Sequence, residues 1–554
     1  MRFRIPTTVS FGRSRSARVT LLPALFFLLS AGQGAFGQGI DIGRPGSGRT
    51  LPQAYFQRIR QEPDFFRASA GWIHRTSQTI RNGEALTGTM PVAVILAHFS
   101  DSGTPVVSAE EVQRAMFDGP SPFGTVTEYF SEVSGGRFTL SGQVFPWVRT
   151  SLTMAEVVGA EWGLGDDGRT GEYLFEAVAA VDATVDFGLF DNDGPDGIPN
   201  SGDDDGQVDA VAIEFQEIAA SCGGPSIWPH RSRLQYWRED EEPYVTDDLR
   251  PDGSHIVVDD YVTQGATNCG GVQVQNANTI AHEMGHVLGL PDLYDRSQGV
   301  PAESRRWVVG CWSLMAAGAW GCGTQDRTDW VRPTHMGAWE KYVLGWLDSV
   351  HRVGDVLGQD FTLEPAQQGN GALMIPLQPE LWQEGGGEYL LMEYRTKEGF
   401  DKDLPASGVL VYHVDPKLNG NQVCDGCPQQ YQVSLLEADG NNTLRRNFQD
   451  GGNRGEAGDA WGVVGPGVLA ANTYPSTRLH SGSRSPVTIY QIAIEDGVAR
   501  VHLSSYHVLA ESLLQPFLTS AAKILSDEER SYMDSHGNGN GDYDIGDLRA
   551  YWMR

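Results

Sequence analysis

His282, Glu283 and His286 occur as His-Glu-Met-Gly-His. Residues four apart on an α-helix leave the same face about one turn apart, which is what one tetrahedral metal asks of two imidazoles. Glu283 adjoins the first imidazole and is placed to act as general base on a water at that metal rather than to complete the metal shell. Gly289 suits a left-handed exit from the helix, and Pro291 stops the helix from resuming. The chain must turn there, and beyond the turn come two carboxylates. Asp292, six residues after His286, is the first choice for a third zinc ligand, with Asp295 as the alternative. The plainer reading is a buried amphipathic helix with two satisfied core histidines. The apolar lead-in, the Gly and Pro at the helix end and the two following acids favour catalytic zinc.

Such a helix needs a sheet to stand on. Pro91–Phe99 is a short continuous apolar run of the buried-strand kind. Thr125–Val133 has helical spacing closed by Gly135-Gly136, and Arg137–Val144 alternates like a strand. Met315 lies at the centre of the glycine-bounded stretch Gly310–Cys322, where it can floor a metal site, and Pro333–Trp346 reads as a closing helix. These elements predict an α+β catalytic domain over 89–352, with a mixed sheet and an active-site helix. From 353 to 506 short strands separated by turns, among them Glu388–Tyr394, Gly408–His413 and Ala499–Leu503, predict a β-sandwich-like domain. Residues 507–554 read as a short helical module around a calcium-type loop.

The N-terminus carries address information. Arg2, Arg4, Arg13, Arg15 and Arg18 precede the apolar run Val19–Ala31, which Pro23 interrupts, so 1–37 reads as a secretory signal peptide rather than an anchor. Residues 38–88 include a helical-looking stretch from Gln53 to Arg81. They read as a pro-segment covering the active site, or equally as an ordinary extension packed on the catalytic domain.

The chain of 554 residues has 40% hydrophobic and 20% charged residues, a globular composition. Its formal charge of -30, with no long basic run, excludes nucleic acid and anionic membrane as natural partners. Calcium is the expected counter-charge. Asp191, Asp193, Asp196, Asp203, Asp205 and Asp209 alternate with glycines and form one candidate calcium site, the alternative being a solvated acidic loop. A second candidate is the C-terminal loop with Asn538, Asn540, Asp542, Asp544 and Asp547. If Asp547 is the twelfth position of an EF-hand-type loop, His536 stands at the first, where Asp is expected. Six cysteines in an exported chain suggest three disulfides, Cys311–Cys322 and Cys424–Cys427 by proximity and Cys222–Cys269 by remainder. A structural zinc at the lone Cys424-x-x-Cys427 is the weaker alternative.

With these residues laid out, the chain resembles the immune inhibitor A family of secreted bacterial zinc metalloproteases. The resemblance runs from about Pro91 to about Leu503. It rests on His282–Tyr294 and Trp312–Met315, with further matches at Ser226–His230, Lys341–Trp346, Gly408–Asp415 and Leu436–Gly440. It implies a zincin fold, zinc on His282 and His286, Glu283 as catalytic base, protein substrates outside the cell and a pro-segment that blocks zinc until activation. It also implies that the paired Asp-rich runs hold calcium. The last forty residues are similar to half a dockerin, which implies a cohesin-like or cell-surface partner. A catalytically inactive, calcium-stabilised adhesion protein on the same fold is the alternative from another class, and the intact Glu283 disfavours it.

Overall fold

The structure is a computed structural model that describes residues 52–62, 82–295, 306–322, 332–504 and 537–553, with a few isolated positions besides. Short stretches at 354–358, 379–386, 422–428 and 463–466 fall outside it for the most part. The proposed signal peptide, most of 63–81 and the pair Cys424–Cys427 lie outside the described residues.

The apolar run at Pro91 belongs to β1 (Gly88–His98). Val92, Val94 and Leu96 enter one core while Ala93, Ile95 and Ala97 enter another, so the strand has no polar face to show. β1 pairs in parallel with β2 (Phe138–Arg149) and with β3 (Val211–Phe215). β4 (His230–Arg233) leads through the hairpin of β5 (Tyr244–Leu249) and β6 (His255–Val258) to β7 (Asp260–Gly265). β7 lies parallel to β3, and β4 is antiparallel to β7 at the edge, which makes a mixed sheet of order β2-β1-β3-β7-β4.

Five helices are used below: α1 (Gln53–Gln61), α2 (Val126–Val133), α3 (Thr170–Asp182), α4 (Ala277–Val287) and α5 (Ala338–Val343). α2 starts where it does because Thr125 and Glu128 cap it reciprocally, Glu128 N–H to Thr125 Oγ1 at 3.0 Å and Thr125 N–H to Glu128 Oε2 at 2.8 Å. Tyr129 and Phe130 of α2 and Ile280 and Met284 of α4 cover one face of the sheet, while Tyr173 and Leu174 of α3 cover the other. This three-layer arrangement follows from the two-sided burial of the central strands.

The second half is β-rich. β8 (Ser349–Arg352), β10 (Gly371–Pro376), β11 (Tyr389–Arg395), β12 (Gly408–Val414) and β13 (Val433–Leu435) form a sheet of order β13-β12-β11-β10-β8. β9 (Gln359–Leu363), β14 (Thr488–Glu495) and β15 (Val498–Ser504) form a three-stranded sheet. Leu390, Met392, Val409 and Val411 pack with Phe361, Ile489 and Val501 of the smaller sheet. The alternate residues Leu391, Leu410 and Tyr412 join Met284, Trp312 and Met315. The strands β10, β11 and β12 of the larger sheet are therefore buried on both faces, one face lying on the core beneath α4, while β8 at the edge is largely exposed. The closing-helix expectation shrinks to the six residues of α5, since Gly345 takes a positive φ directly behind it.

Candidate metal centre

α4 ends as its sequence dictates. Gly289 takes φ +91°, its N–H reaches His286 O at 2.9 Å, and Leu290 N–H reaches Gly285 O at 3.1 Å. Pro291 follows, and the turn brings Asp292 back over the helix. Asp292 Oδ1 lies 3.1 Å from His282 Nε2 and 3.3 Å from His286 Nε2. Both Nδ1 atoms meet backbone carbonyls, His282 with Leu314 O at 2.9 Å and His286 with Leu290 O at 2.7 Å. A carbonyl only accepts, so Nδ1 carries the proton and each Nε2 turns a lone pair towards the Asp292 oxygen.

Two lone-pair nitrogens and a carboxylate oxygen face one another, all within 4.8 Å. They need a proton or a cation among them. With a proton there, burial lowers the His282 pKa, but the hydrogen bond to Asp292 and its charge outweigh burial and hold it up at about 9. Zinc fits the set better. Ligand bonds of about 2.0–2.2 Å at the tetrahedral angle place neighbouring donor atoms about 3.3 Å apart, against the 3.1 and 3.3 Å found here.

Asp295 does not join this group. Its Oδ2 accepts from Arg306 Nη1 at 2.9 Å and from the Tyr431 hydroxyl at 3.0 Å, which ties the post-helix turn to the β-rich half. Glu283 is 8% exposed on the helix beside the cluster. Burial raises its pKa, and the fields of His282, His286 and Arg231 oppose the rise.

Met315 packs under the helix. A β-carbon on Gly285 would lie 2.5 Å from Met315 Sδ, so the glycine inside the His-Glu-Met-Gly-His motif is what admits the floor. The turn is pinned by Ser313, whose hydroxyl accepts from Met315 N at 3.1 Å and donates to Glu340 Oε1 at 2.6 Å. Burial pushes Glu340 up to about 7, against the hydrogen bonds from Ser313, Gly337 and Met315. The Cys311–Cys322 disulfide closes this stretch, and Cys222–Cys269 is the second disulfide among the described residues.

Sequence reasoning missed Arg231. It sits on the antiparallel edge strand β4, is 6% exposed, and its Nε and Nη1 have no hydrogen-bond partner among the described residues. Burial lowers its pKa to about 10, while Asp260, Glu283, Tyr55 and Asp292 act in the opposite direction. The only signal was a basic residue inside a short strand, and with Arg233 two positions on, the period-2 pattern gave no reason to single it out.

Of the six candidate calcium aspartates, Asp191, Asp193 and Asp205 have carboxylate oxygens within 4.8 Å of one another. Asp191 is fully buried, with Oδ1 unpartnered and Oδ2 accepting from Gly206 N at 3.0 Å. Asp196 and Asp203 turn elsewhere, Asp203 Oδ2 accepting from Asp196 N at 3.2 Å, and Asp209 is buried outside the group. In the C-terminal loop, Asp547 accepts from Asn538 N at 2.8 Å and Asp544 N at 2.7 Å. Asn538 and Asn540 both donate side-chain N–H to Asp544, and the Asp542 N–H goes to Asn540 Oδ1 at 2.9 Å. His536 lies outside the described residues. Asp534, two residues earlier, takes the bond from Gly541 N at 3.0 and 3.1 Å that a first-position carboxylate would take.

Residues 110–347 match the family model "Immune inhibitor A peptidase M6, catalytic domain". The chain is 28% identical over 240 residues to "Pre-pro-metalloprotease PrtV" of Vibrio cholerae serotype O1, which covers 41% of this chain and 24% of that protein. It is 29% identical over 223 residues to "Immune inhibitor A" of Bacillus thuringiensis subsp. alesti, covering 37% of this chain and 30% of that protein. The matched part thus spans less than a third of either relative. The family match covers four of the five strands of the mixed sheet, β1 lying before it, together with α4 and the Met315 turn, so residues 110–347 are what this chain shares with the immune inhibitor A peptidase catalytic domain.

Proposed function

We propose that this chain is an exported zinc endopeptidase that hydrolyses extracellular proteins. The observation that carries the reading is the meeting of His282 Nε2, His286 Nε2 and Asp292 Oδ1 beside Glu283. Zinc held by these three residues would supply Lewis-acid polarisation of a water and of the scissile carbonyl. Glu283, next to the first ligand, takes the proton from the attacking water and hands it to the leaving amine. Arg231, buried with spare N–H donors in the field of Glu283, faces the developing negative charge. The Nδ1 bonds to Leu314 O and Leu290 O fix both rings in the ligating tautomer.

Two further parts of the reading have structural support. α1 packs against the catalytic half, Arg58 Nε donating to Leu164 O at 2.6 Å and pairing with Asp166 at 3.2 Å, and Tyr55 acts on Arg231. That contact suits a pro-segment held over the site. Asp191, Asp193 and Asp205 suit calcium, since burial and mutual repulsion push Asp191 up to about 8 when no cation is present. Export follows from the N-terminal charge and apolar pattern. Among the described residues no helix is long and apolar enough to cross a membrane. A cohesin-like or cell-surface partner is the role proposed for the C-terminal loop.

The test is cleavage of an unstructured protein such as casein by the zinc-loaded chain, by the same chain with zinc chelated, and by Glu283→Gln. Glutamine keeps the shape and one acceptor oxygen of the carboxylate but takes no proton from water. A positioned base contributes roughly a hundred- to ten-thousandfold, so Glu283→Gln should lose at least that while keeping zinc and melting temperature. Full hydrolysis by a zinc-loaded Glu283→Gln overturns the mechanism.

A further inference from the structure

Glu437 and Asp459 are 2% and 0% exposed, yet neither serves the zinc centre directly. Each offers a carboxylate oxygen that lies within 4.8 Å of the others and of one from Asp439. Asp459 Oδ2 accepts from Trp312 Nε1 at 2.8 Å and from Glu456 N at 2.9 Å, while its Oδ1 is buried without a hydrogen-bond partner among the described residues. Glu437 accepts from Thr443 N at 2.6 Å, Thr443 Oγ1 at 2.9 Å and Leu444 N at 3.2 Å. Asn441 gives its backbone and side-chain N–H to Asp439, and its side-chain N–H also to Glu456 Oε1 at 2.8 Å. These donors are all neutral. Four carboxylates, two of them removed from water, gather here on neutral hydrogen-bond donors, and although the Arg445 charge acts on Glu437, one cation does not balance four carboxylates, a burial that is costly unless a further counter-charge completes it.

We propose that Glu437, Asp439 and Asp459 form a calcium site in the β-rich half, separate from the Asp191 loop. The donors are oxygens only, which excludes a preference for zinc and selects a hard cation. Calcium accepts several protein carboxylates in flexible geometry, whereas magnesium keeps most of its water, so a cage of this kind selects calcium. Without the cation, burial holds the Asp459 carboxyl up at about 8, with the charge on Glu437 adding to the rise.

Trp312 links the site to the catalytic half. Asp459 holds the Trp312 indole, and Trp312 lies two residues before Leu314, whose carbonyl fixes the His282 ring. Arg395 Nη1 holds the Trp312 carbonyl at 3.0 Å from the other side. A cation on Asp459 therefore braces the turn that orients a zinc ligand, and losing it loosens that turn.

The test is calcium stoichiometry by equilibrium dialysis on the full chain, which needs no activity and so is independent of the peptidase reading. Asp439 is exposed, and Asp439→Asn removes one ligand charge without stranding a buried group. Asp459→Asn keeps an amide oxygen for the Trp312 indole and serves as the second variant. Each should bind one calcium fewer than the parent, or bind it more than tenfold more weakly. Each should melt earlier than the parent in excess calcium, and Asp439→Asn should melt with the parent in a calcium chelator. Asp193→Asn should remove a different ion, so that Asp193→Asn with Asp439→Asn loses two. Parent stoichiometry and affinity in both Asp439→Asn and Asp459→Asn overturns the proposal, as does a double variant that loses no more than Asp193→Asn alone.

Discussion

Met315 Sδ occupies the space that a side chain on Gly285 would need, with 2.5 Å between the sulfur and an ideal β-carbon. Met315 is fully enclosed in the core and Gly285 is buried on α4, so the sulfur cannot simply swing into solvent. The floor and the helix fit only because position 285 carries no side chain.

Gly285→Ala is expected to be destabilising even though alanine is the better helix former. Helix propensity returns up to about 1 kcal/mol, while overpacking costs about 1–3 kcal/mol. In a Met315→Ala background the clash is gone and the same change should stabilise. Denaturant melts of the four proteins in this cycle check the sign reversal. The same sign in both backgrounds would mean that Met315 does not bear on Gly285.

The fate of the two aspartates shows where sequence reading stops. Helix end and turn were legible from Gly289 and Pro291, because helix termination is local. Which carboxylate then faces the histidines was legible only as a ranking, Asp292 before Asp295, because what holds Asp295 away is Arg306 and Tyr431, a residue 136 positions from Asp295. Likewise, the apolar runs of β11 and β12 announced strands, but not that one face would pack under α4. The Glu437–Asp459 cluster and Arg231 were hidden for the same reason. Asp459 meets Trp312, 147 positions away, and Arg231 lies in the fields of Glu283 and Asp292 on other elements, and neither relation leaves a periodic trace.

Asp292→Ala and Asp295→Ala should therefore fail in different ways. Asp292→Ala should lose most of its zinc at submicromolar free metal. Asp295→Ala should keep zinc and lose stability, by about 1.5–3 kcal/mol for the bonds it makes to a charged group. Zinc content and melts on both variants decide this, and zinc loss in Asp295→Ala alone would reassign the ligand.

Calcium should stabilise the chain more as pH rises. The Asp191 carboxyl has its usual pKa near 3.8 when unfolded and about 8 in the folded, calcium-free chain, through burial first and then repulsion from Asp204, Asp205 and Asp193. Between those values the folded state binds more protons than the unfolded state, so calcium-free stability falls with rising pH. Calcium takes the proton's place and removes that penalty. The difference in melting temperature with and without calcium should be small near pH 5 and grow up to about pH 8. A difference that shrinks over this range would exclude Asp191 as the coupled group. Asp191→Asn should reduce the growth and leave the part that comes from Asp459.

Arg231 gives the sharpest separation of function from stability. Its guanidinium is almost wholly buried, its Nε and Nη1 have no hydrogen-bond partner among the described residues, and Glu283 and Asp292 supply part of the field that keeps it charged. A buried cation with unused donors costs desolvation energy that a neutral side chain would not. If the donors wait for substrate, removing them should cost catalysis and leave the fold no weaker. Arg231→Gln is expected to lower kcat/KM about a hundredfold or more, the magnitude seen for loss of one donor to a developing oxyanion, with kcat taking most of the loss. Zinc content should be unchanged and the melting temperature should hold or rise. Arg231→Lys keeps the charge but not the planar fork, and should recover only part of the rate. A variant that melts several degrees lower, with activity lost only in proportion to the unfolded fraction, would make Arg231 a structural brace of the edge strand instead.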